Sequence, residues 1–188
     1  GNDGAERILT ELARQWHHDG HRITVIQTSP NRYGTEYALP EGIEQIQIHT
    51  TSSNKILRFL QEIKALIGIL KQRPNATCLS FLSASSFILA ISSWFVKNRM
   101  VFSERNNPRK VPIGKHQQIL RNFAFRFADA IVFQTEDAKS YFSKSIQSRG
   151  HIIPNPINGN LPEPYEGERE KIIVTACRLH PQKNLPMM

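Results

Sequence analysis

Short apolar runs rich in β-branched residues alternate along this chain with longer amphipathic segments, and that alternation restricts the fold more than any other feature. Ile23-Thr24-Val25-Ile26, Cys78 to Leu82, Met100-Val101-Phe102-Ser103 and Ala130-Ile131-Val132-Phe133 are continuously apolar or nearly so. Strands of a parallel sheet covered on both faces have this character. Ile43, Ile46 and Ile48 mark another short strand, and Ile152-Ile153 a last one. Between them, Ile8, Leu9, Leu12, Ala13 and Trp16 recur at helical spacing up to His17-His18-Asp19-Gly20, where Gly20 suits the left-handed residue that closes a helix. Asn54 to Arg73 predicts a long amphipathic helix stopped by Pro74. Ser85 to Val96, Ile113 to Phe127 and Glu136 to Ile146 predict three more, and residues 29–42 a loop. Strands and helices in this order specify an α/β fold, a doubly wound and mostly parallel sheet with helices on both faces.

After Ile153 the composition changes. Pro154, Pro156, Gly159, Pro162, Pro164 and Gly167 crowd together as in a linker. The expected organisation is therefore one domain over residues 1–153, a linker over 154–170, and the start of a second domain over 171–188. That last piece carries the apolar run Ile172-Ile173-Val174 and then the first turn of a helix at Leu185-Pro186-Met187-Met188. The chain opens Gly1-Asn2-Asp3-Gly4 without an initiator Met and runs directly into a helix. The expectation is an internal piece of a longer protein, with the first strand of the sheet and most of the second domain missing.

A formal charge of +8 and a pI near 9.8 attract something anionic: nucleic acid, a membrane surface or a phosphorylated substrate. Lys55, Arg58, Lys64, Lys71 and Arg73 face a single acid, Glu62, on the long helix, and Arg105, Arg109, Lys110, Lys115, Arg121 and Arg126 accompany Phe123, Phe125 and Phe127. Helices with apolar and basic faces can lie on an anionic bilayer. For Asn54 to Arg73 an ordinary core-facing helix with a solvated charged side is the slightly favoured reading. Cys78 and Cys177 sit in apolar runs without CxxC or metal-ligand spacing, as small buried hydrophobes of a reducing, cytoplasmic compartment. His17, His18 and His21 crowd a helix end, where they complement its dipole, and no carboxylate or Cys at ligand spacing implies a metal. Ser83, Ser85 and Ser86 suit a helix N-cap and lack the GxSxG turn of a nucleophile.

The candidate chemistry lies in loops at strand ends, where open α/β sheets bind ligands. Arg178 and Lys183 fall in the turn between the strand-like run 172–177 and the helix after it. Free N–H groups and the helix dipole favour an anion there, and the plainer reading is a solvated basic turn. The other segments at carboxyl ends are Ser103 to Pro112, Thr135-Glu136, Pro154-Asn155-Pro156 and, with a first strand allowed for, Asp3-Gly4-Ala5. Within them Glu104 is a candidate cleft carboxylate, or a simple loop ion pair with Arg105.

Gly4-Ala5-Glu6-Arg7, Ala130-Ile131-Val132-Phe133-Gln134-Thr135, Ile153-Pro154-Asn155-Pro156-Ile157 and Arg178-Leu179-His180-Pro181-Gln182-Lys183-Asn184 occur in an order that resembles the retaining GT-B glycosyltransferases of family 4. The resemblance implies two Rossmann-like domains facing across a cleft, the first binding an acceptor and the second a nucleotide-sugar, and this chain would be the N-terminal half. It implies that Arg178 and Lys183 bind the donor diphosphate and that Gly4, Ala5, Ser103, Glu104 and Asn155 line the cleft. Two departures stand out: Asp3 replaces the first of the usual two glycines, and Ser103-Glu104-Arg105-Asn106 occupies the place where many relatives carry a His. No catalytic residue is assigned within these 188 residues, since the acidic pair of such enzymes belongs to the second domain. The implied activity is hexosyl transfer from a nucleotide-sugar to a lipid-linked or polysaccharide acceptor, with no cofactor, no nucleic acid, and peripheral contact with the inner face of the cytoplasmic membrane. The competing reading is a non-catalytic, basic Rossmann-like module for a nucleotide or nucleic acid. Against it stand the lack of a nucleic-acid reader motif and of GxGxxG after a strand.

Overall fold

Every strand pairing in the described structure is parallel, so each strand must be joined to its neighbour by a crossover. The computed structural model describes residues 4–28, 38–81, 83–110, 113–156, 163–168, 170–172 and 187. The chain divides into two units, Gly1–Asn155 and Pro156–Met188. The first holds, in order, α1 (Gly4–His18), β1 (Thr24–Gln27), β2 (Glu44–Gln47), α2 (Lys55–Lys71), β3 (Thr77–Ser80), α3 (Ser83–Ser92), β4 (Arg99–Ser103), α4 (Lys115–Phe125), β5 (Ala130–Phe133), α5 (Glu136–Ser140), α6 (Lys144–Gln147) and β6 (Gly150–Ile152).

The expected α/β class and Rossmann-like order are present, but the described strands form two sheets, β1-β2 and β3-β4-β5-β6. The doubly wound order 3-2-1-4-5-6 has one strand between two such sets, and no described strand pairs with both β1 and β3. Because β3 to β6 follow one another in space as in sequence, right-handed crossovers put α3, α4 and the α5–α6 segment on one face. Helices α2, α3 and α4 pack side by side there. Ile63, Leu66 and Leu70 of α2 share one core with Ile48 beyond β2 and with Met100, Phe102, Ile131 and Phe133 of the larger sheet. Helix α2 thus bridges the two sheets.

Local sequence explains where the helices start and stop. Gly20, at φ +86°, closes α1: its N–H donates to His17 O at 3.0 Å and His21 N–H to Trp16 O at 2.9 Å, the paired bonds of a left-handed C-terminal cap. Asn54 caps α2 by accepting from Ile56 N–H and Leu57 N–H. Helix α3 ends at Ser92, short of the expected Val96, where Ser92 Oγ and Ser93 Oγ donate to the carbonyls of Ile88 and Ala90. Such back-bonding competes with continuation of the helix. The single helix expected over Glu136 to Ile146 is two, because Phe142 breaks out of it to pack between Phe125 and Phe133 at 5.4 and 5.2 Å between ring centroids. Cys78 is half-buried, with its thiol pushed up to about 11 by burial, and Cys177 lies outside the described residues. Of the strand-like run 172–177 only Ile172 is described, so its placement also lies outside the described residues.

One ionic cluster ties β1, β2 and the end of α2 together. Glu44 accepts from Thr24 Oγ1 at 2.7 Å and from Arg73 Nη2 at 2.8 and 2.9 Å. These hydrogen bonds, from Thr24 first and then Arg73, hold its carboxyl below the usual range. A depressed carboxylate contributes stability that is present above its unfolded-state pKa and is lost as pH falls through the folded value. Glu44→Gln should therefore lower the urea midpoint at neutral pH, with the deficit closing as the pH falls below about 4. Urea titrations of both proteins across that range check it, and a deficit of constant size would contradict it.

Candidate functional site

The carboxyl ends of β4, β5 and β6 meet in a cluster built around two arginines. Ser103, the last residue of β4, is buried. Glu104 N–H still donates to Val132 O at 2.9 Å, extending the ladder to β5 by one residue. The Glu104 side chain is buried, and its Oε2 accepts from Arg121 Nη1 of α4 at 3.3 Å. Arg121 is only 2% exposed, and its guanidinium lies over the rings of Phe142 at 4.8 Å and Tyr141 at 5.5 Å. Its Nε and Nη2 have no hydrogen-bond partner among the described residues, so ring faces take the place of acceptors on part of this cation. Burial pushes the Glu104 carboxyl above its ordinary range, opposed by the Asn106 N–H at 3.2 Å and by the Arg121 charge.

Arg105 is held differently. Its guanidinium lies over the Phe81 ring at 5.2 Å, its Nη1 donates to Ser103 Oγ at 3.5 Å, and its Nη2 donates to Asn155 Oδ1. The same Asn155 oxygen accepts from Gln134 Nε2 at 3.2 Å. One amide oxygen therefore joins the loops that follow β4, β5 and β6. Arg105 Nε is buried without a partner among the described residues. Burial, and after it the charge of Arg7 on α1, depress the Arg105 pKa. A small pocket of about 50 Å³ opens here, lined by Phe81, Ser86, Ser103, Glu104, Arg105 and Phe125 among others. A second, shallower depression, bordered by Thr77 and Arg99, lies at the amino ends of β3 and β4, the end of the sheet opposite to the ligand side.

The sequence-predicted residues separate into three groups. Ser103 and Asn155 are brought together around Arg105 by the contacts just given, and Glu104 lines the same pocket while its carboxylate pairs with Arg121. Gly4 is exposed at the start of α1, with no atom of the described residues within 4 Å of where a Cβ would stand, and Ala5 is half-buried in the same turn. Arg178 and Lys183 lie outside the described residues. The ion pair considered between Glu104 and Arg105 is not formed, because Glu104 turns into the core to Arg121 while Arg105 takes neutral oxygens. Arg121, counted among the basic surface residues, is therefore a core residue. Its burial had a signal in the sequence: four residues before Phe125, it shares that phenylalanine's face of α4. Ser86 caps no helix; it is buried against Ser80, Oγ to Oγ at 3.0 Å. No three His, Cys, Asp or Glu side chains among the described residues group as metal ligands.

A parallel α/β domain with polar loops gathered at the carboxyl ends of its strands is a ligand-binding domain in architecture. Over residues 2–160 the sequence matches Glycosyltransferase Family 4, and the chain belongs to that family. No curated protein matches it. Among solved structures, HepE from Anabaena in complex with UDP is similar with a TM-score of 0.62 at 15% identity, over 84% of this chain and 42% of that one. HepE in complex with UDP and glucose is similar with a TM-score of 0.61 at 13% identity, over the same shares. At these identities the likeness is one of fold, and that fold is the Rossmann-like N-terminal half of a GT-B fold. This chain spans about two fifths of the length of those structures.

Removing one partner of a buried ion pair strands the other charge. Arg121→Met should cost about 3–5 kcal/mol at neutral pH. Without its counter-charge Glu104 takes up a proton more readily, so the variant binds more protons folded than unfolded, and its stability falls as pH rises through that window. The deficit should therefore shrink towards pH 5. Calorimetry at several pH values checks this, and a loss under 1 kcal/mol at every pH would contradict the pairing.

Proposed function

We propose that this chain is the acceptor-side domain of a glycosyltransferase that moves a hexose from a nucleotide-sugar to a lipid-linked or polysaccharide acceptor. The observation that carries the reading is the joining of the β4, β5 and β6 loops through Asn155 at the ligand end of a family 4 sheet. In this reading Ser103, Glu104, Asn155, Gly4 and Ala5 border the acceptor side of the cleft. Arg178 and Lys183 hold the donor diphosphate. Cations fixed at a leaving phosphate stabilise the charge that develops there in the transition state, and the nucleotide-sugar carries its own activated bond, so the reaction needs no cofactor. Donor and acceptor must be held together for transfer, and most donor contacts belong to the second domain, so the 188-residue chain alone is expected to transfer no sugar. In the longer enzyme, Lys183→Ala should lower kcat by roughly a hundredfold, equivalent to about 3 kcal/mol in the transition state, without lowering the melting temperature. An unchanged kcat would remove Lys183 from the diphosphate site.

The reading includes peripheral contact with an anionic membrane at the cytoplasmic inner face. No helix among the described residues is long and apolar enough to cross a membrane. The layer α2–α3–α4 exposes Ile56, Leu60, Trp94, Phe95 and Ile119, with Ile56 71% and Trp94 60% exposed. Beneath them runs a row of packed rings, Phe59–Phe87–Phe123–Phe127, with Trp94 set edge-on to the last two. Lys55, Arg58, Lys97 and Lys115 are exposed on the same elements or next to them. Apolar side chains flanked by cations suit the interface of an anionic bilayer, each cation there contributing on the order of 1 kcal/mol. Vesicles containing phosphatidylglycerol should sediment this chain at low salt and release it as salt rises, while phosphatidylcholine vesicles should not bind it. Equal binding to both would count against the contact.

A further inference from the structure

Two residues adjacent in the chain give the pocket beyond β4 opposite hydrogen-bonding characters: Glu104 lines it as an acceptor and Arg105 as a donor. The Glu104 carboxylate accepts from Arg121 Nη1 and from the Asn106 N–H, with the Arg105 N–H also directed at it. A carboxylate has about four lone-pair sites, so a further donor can be taken. Arg105 uses its guanidinium on Ser103 Oγ and Asn155 Oδ1 among the described residues, and that group carries more N–H donors than those two bonds require. The rest of the lining includes two hydroxyls, of Ser86 and Ser103, and the rings of Phe81 and Phe125. Ser86 Oγ is paired with Ser80 Oγ at 3.0 Å and Ser103 Oγ accepts from Arg105, so the open hydrogen-bonding capacity lies chiefly with Glu104 and Arg105.

Size and polarity together select the ligand group. At about 50 Å³ the pocket takes about three water-sized groups of roughly 15 Å³ each, which is the size of a substituent and not of a sugar ring. A carboxylate or phosphate there would satisfy Arg105 and be repelled by Glu104, and an ammonium would do the reverse. A hydroxyl can give to one and take from the other, yet it brings no carbon to cover the rings. An acetamido group meets all three demands, because its N–H suits the carboxylate, its carbonyl the guanidinium and its methyl the phenylalanines. We propose that this pocket binds the acetamido group of an N-acetylated sugar in the acceptor, its N–H donating to Glu104, its carbonyl accepting from Arg105 and its methyl resting against Phe81 and Phe125. The word acceptor rests on the proposed function, and the acetamido group rests on the lining of the pocket alone.

Three sugars that differ in a single substituent test the site in the 188-residue chain without turnover: methyl N-acetyl-β-D-glucosaminide, methyl β-D-glucosaminide and methyl β-D-glucoside, which carry acetamido, ammonium and hydroxyl in turn. Their galacto epimers are titrated alongside, and binding is followed by the backbone amide shifts of Glu104 and Arg105. In at least one set the acetamido sugar should give a saturable shift and bind at least about tenfold more tightly than the other two, because a site arranged for an amide leaves its polar groups unpaired when the amide is missing. An intermolecular NOE should join its acetyl methyl to the Phe81 ring. Arg105→Met removes the donor to the carbonyl while keeping an apolar stem against Phe81, and it should reduce the preference to about twofold or less. If that variant fails to fold, the titrations and the NOE on the unaltered chain decide the matter. No saturable shift in either set, the hydroxyl or ammonium sugar bound as tightly as the acetamido one, a missing NOE to Phe81, or a preference undiminished in folded Arg105→Met would overturn the proposal. In the longer protein, transfer that shows no preference for an N-acetylated acceptor would sink this site alone. No transfer to any acceptor would sink the proposed function and leave the binding result standing.

Discussion

The buried pair Glu104–Arg121 governs the rest of the ligand end of the sheet. It fastens the residue after β4 to α4, and through the faces of Tyr141 and Phe142 it fastens α4 to the segment between α5 and α6. A pair this deep gains little net stability, because desolvating both charges offsets most of their attraction. Its consequence is one of specificity. With the Glu104 carboxylate engaged by Arg121, the loop that follows β4 presents Arg105 to the pocket that both residues line.

Arg105 in turn is positioned by elements far apart in sequence. Phe81 follows β3, Ser103 ends β4, Gln134 follows β5 and Asn155 follows β6, and all four contribute to one cluster through Arg105 or the Asn155 oxygen. The parallel sheet makes this possible because consecutive parallel strands deliver their carboxyl ends to one side. The core beneath, with Phe102, Phe125 and Phe133 almost wholly buried, fixes the spacing of those strand ends. Rigid elements behind a polar loop cluster are what precise ligand recognition requires.

Much of this architecture was legible in the chain. Continuous apolar runs identified β1 and β3 to β5, Asn54 and Gly20 marked helix ends through chemistry that depends on a few neighbouring residues, and motif order pointed to the family. What could not be read depended on distant packing. Phe142 breaks the helix expected over Glu136 to Ile146 because a hole between Phe125 and Phe133 receives its ring, and no local signal specifies that hole. The division into two sheets is equally non-local, since strand order is set by pairing partners and not by the strands' own residues. At the site, Ser103, Glu104 and Asn155 could be located from their positions at strand ends. The partner of Glu104 could not, because adjacency in sequence favoured Arg105 over a residue seventeen positions away.

The account stands on which arginine Glu104 serves, and a pair of double-mutant cycles measures that directly. One cycle combines Glu104→Gln with Arg121→Met, the other Glu104→Gln with Arg105→Met, each read by urea denaturation at pH 7. The account predicts a coupling energy of about 2 kcal/mol or more in the first cycle and one within about 0.5 kcal/mol of zero in the second. A larger coupling to Arg105 than to Arg121 would contradict it.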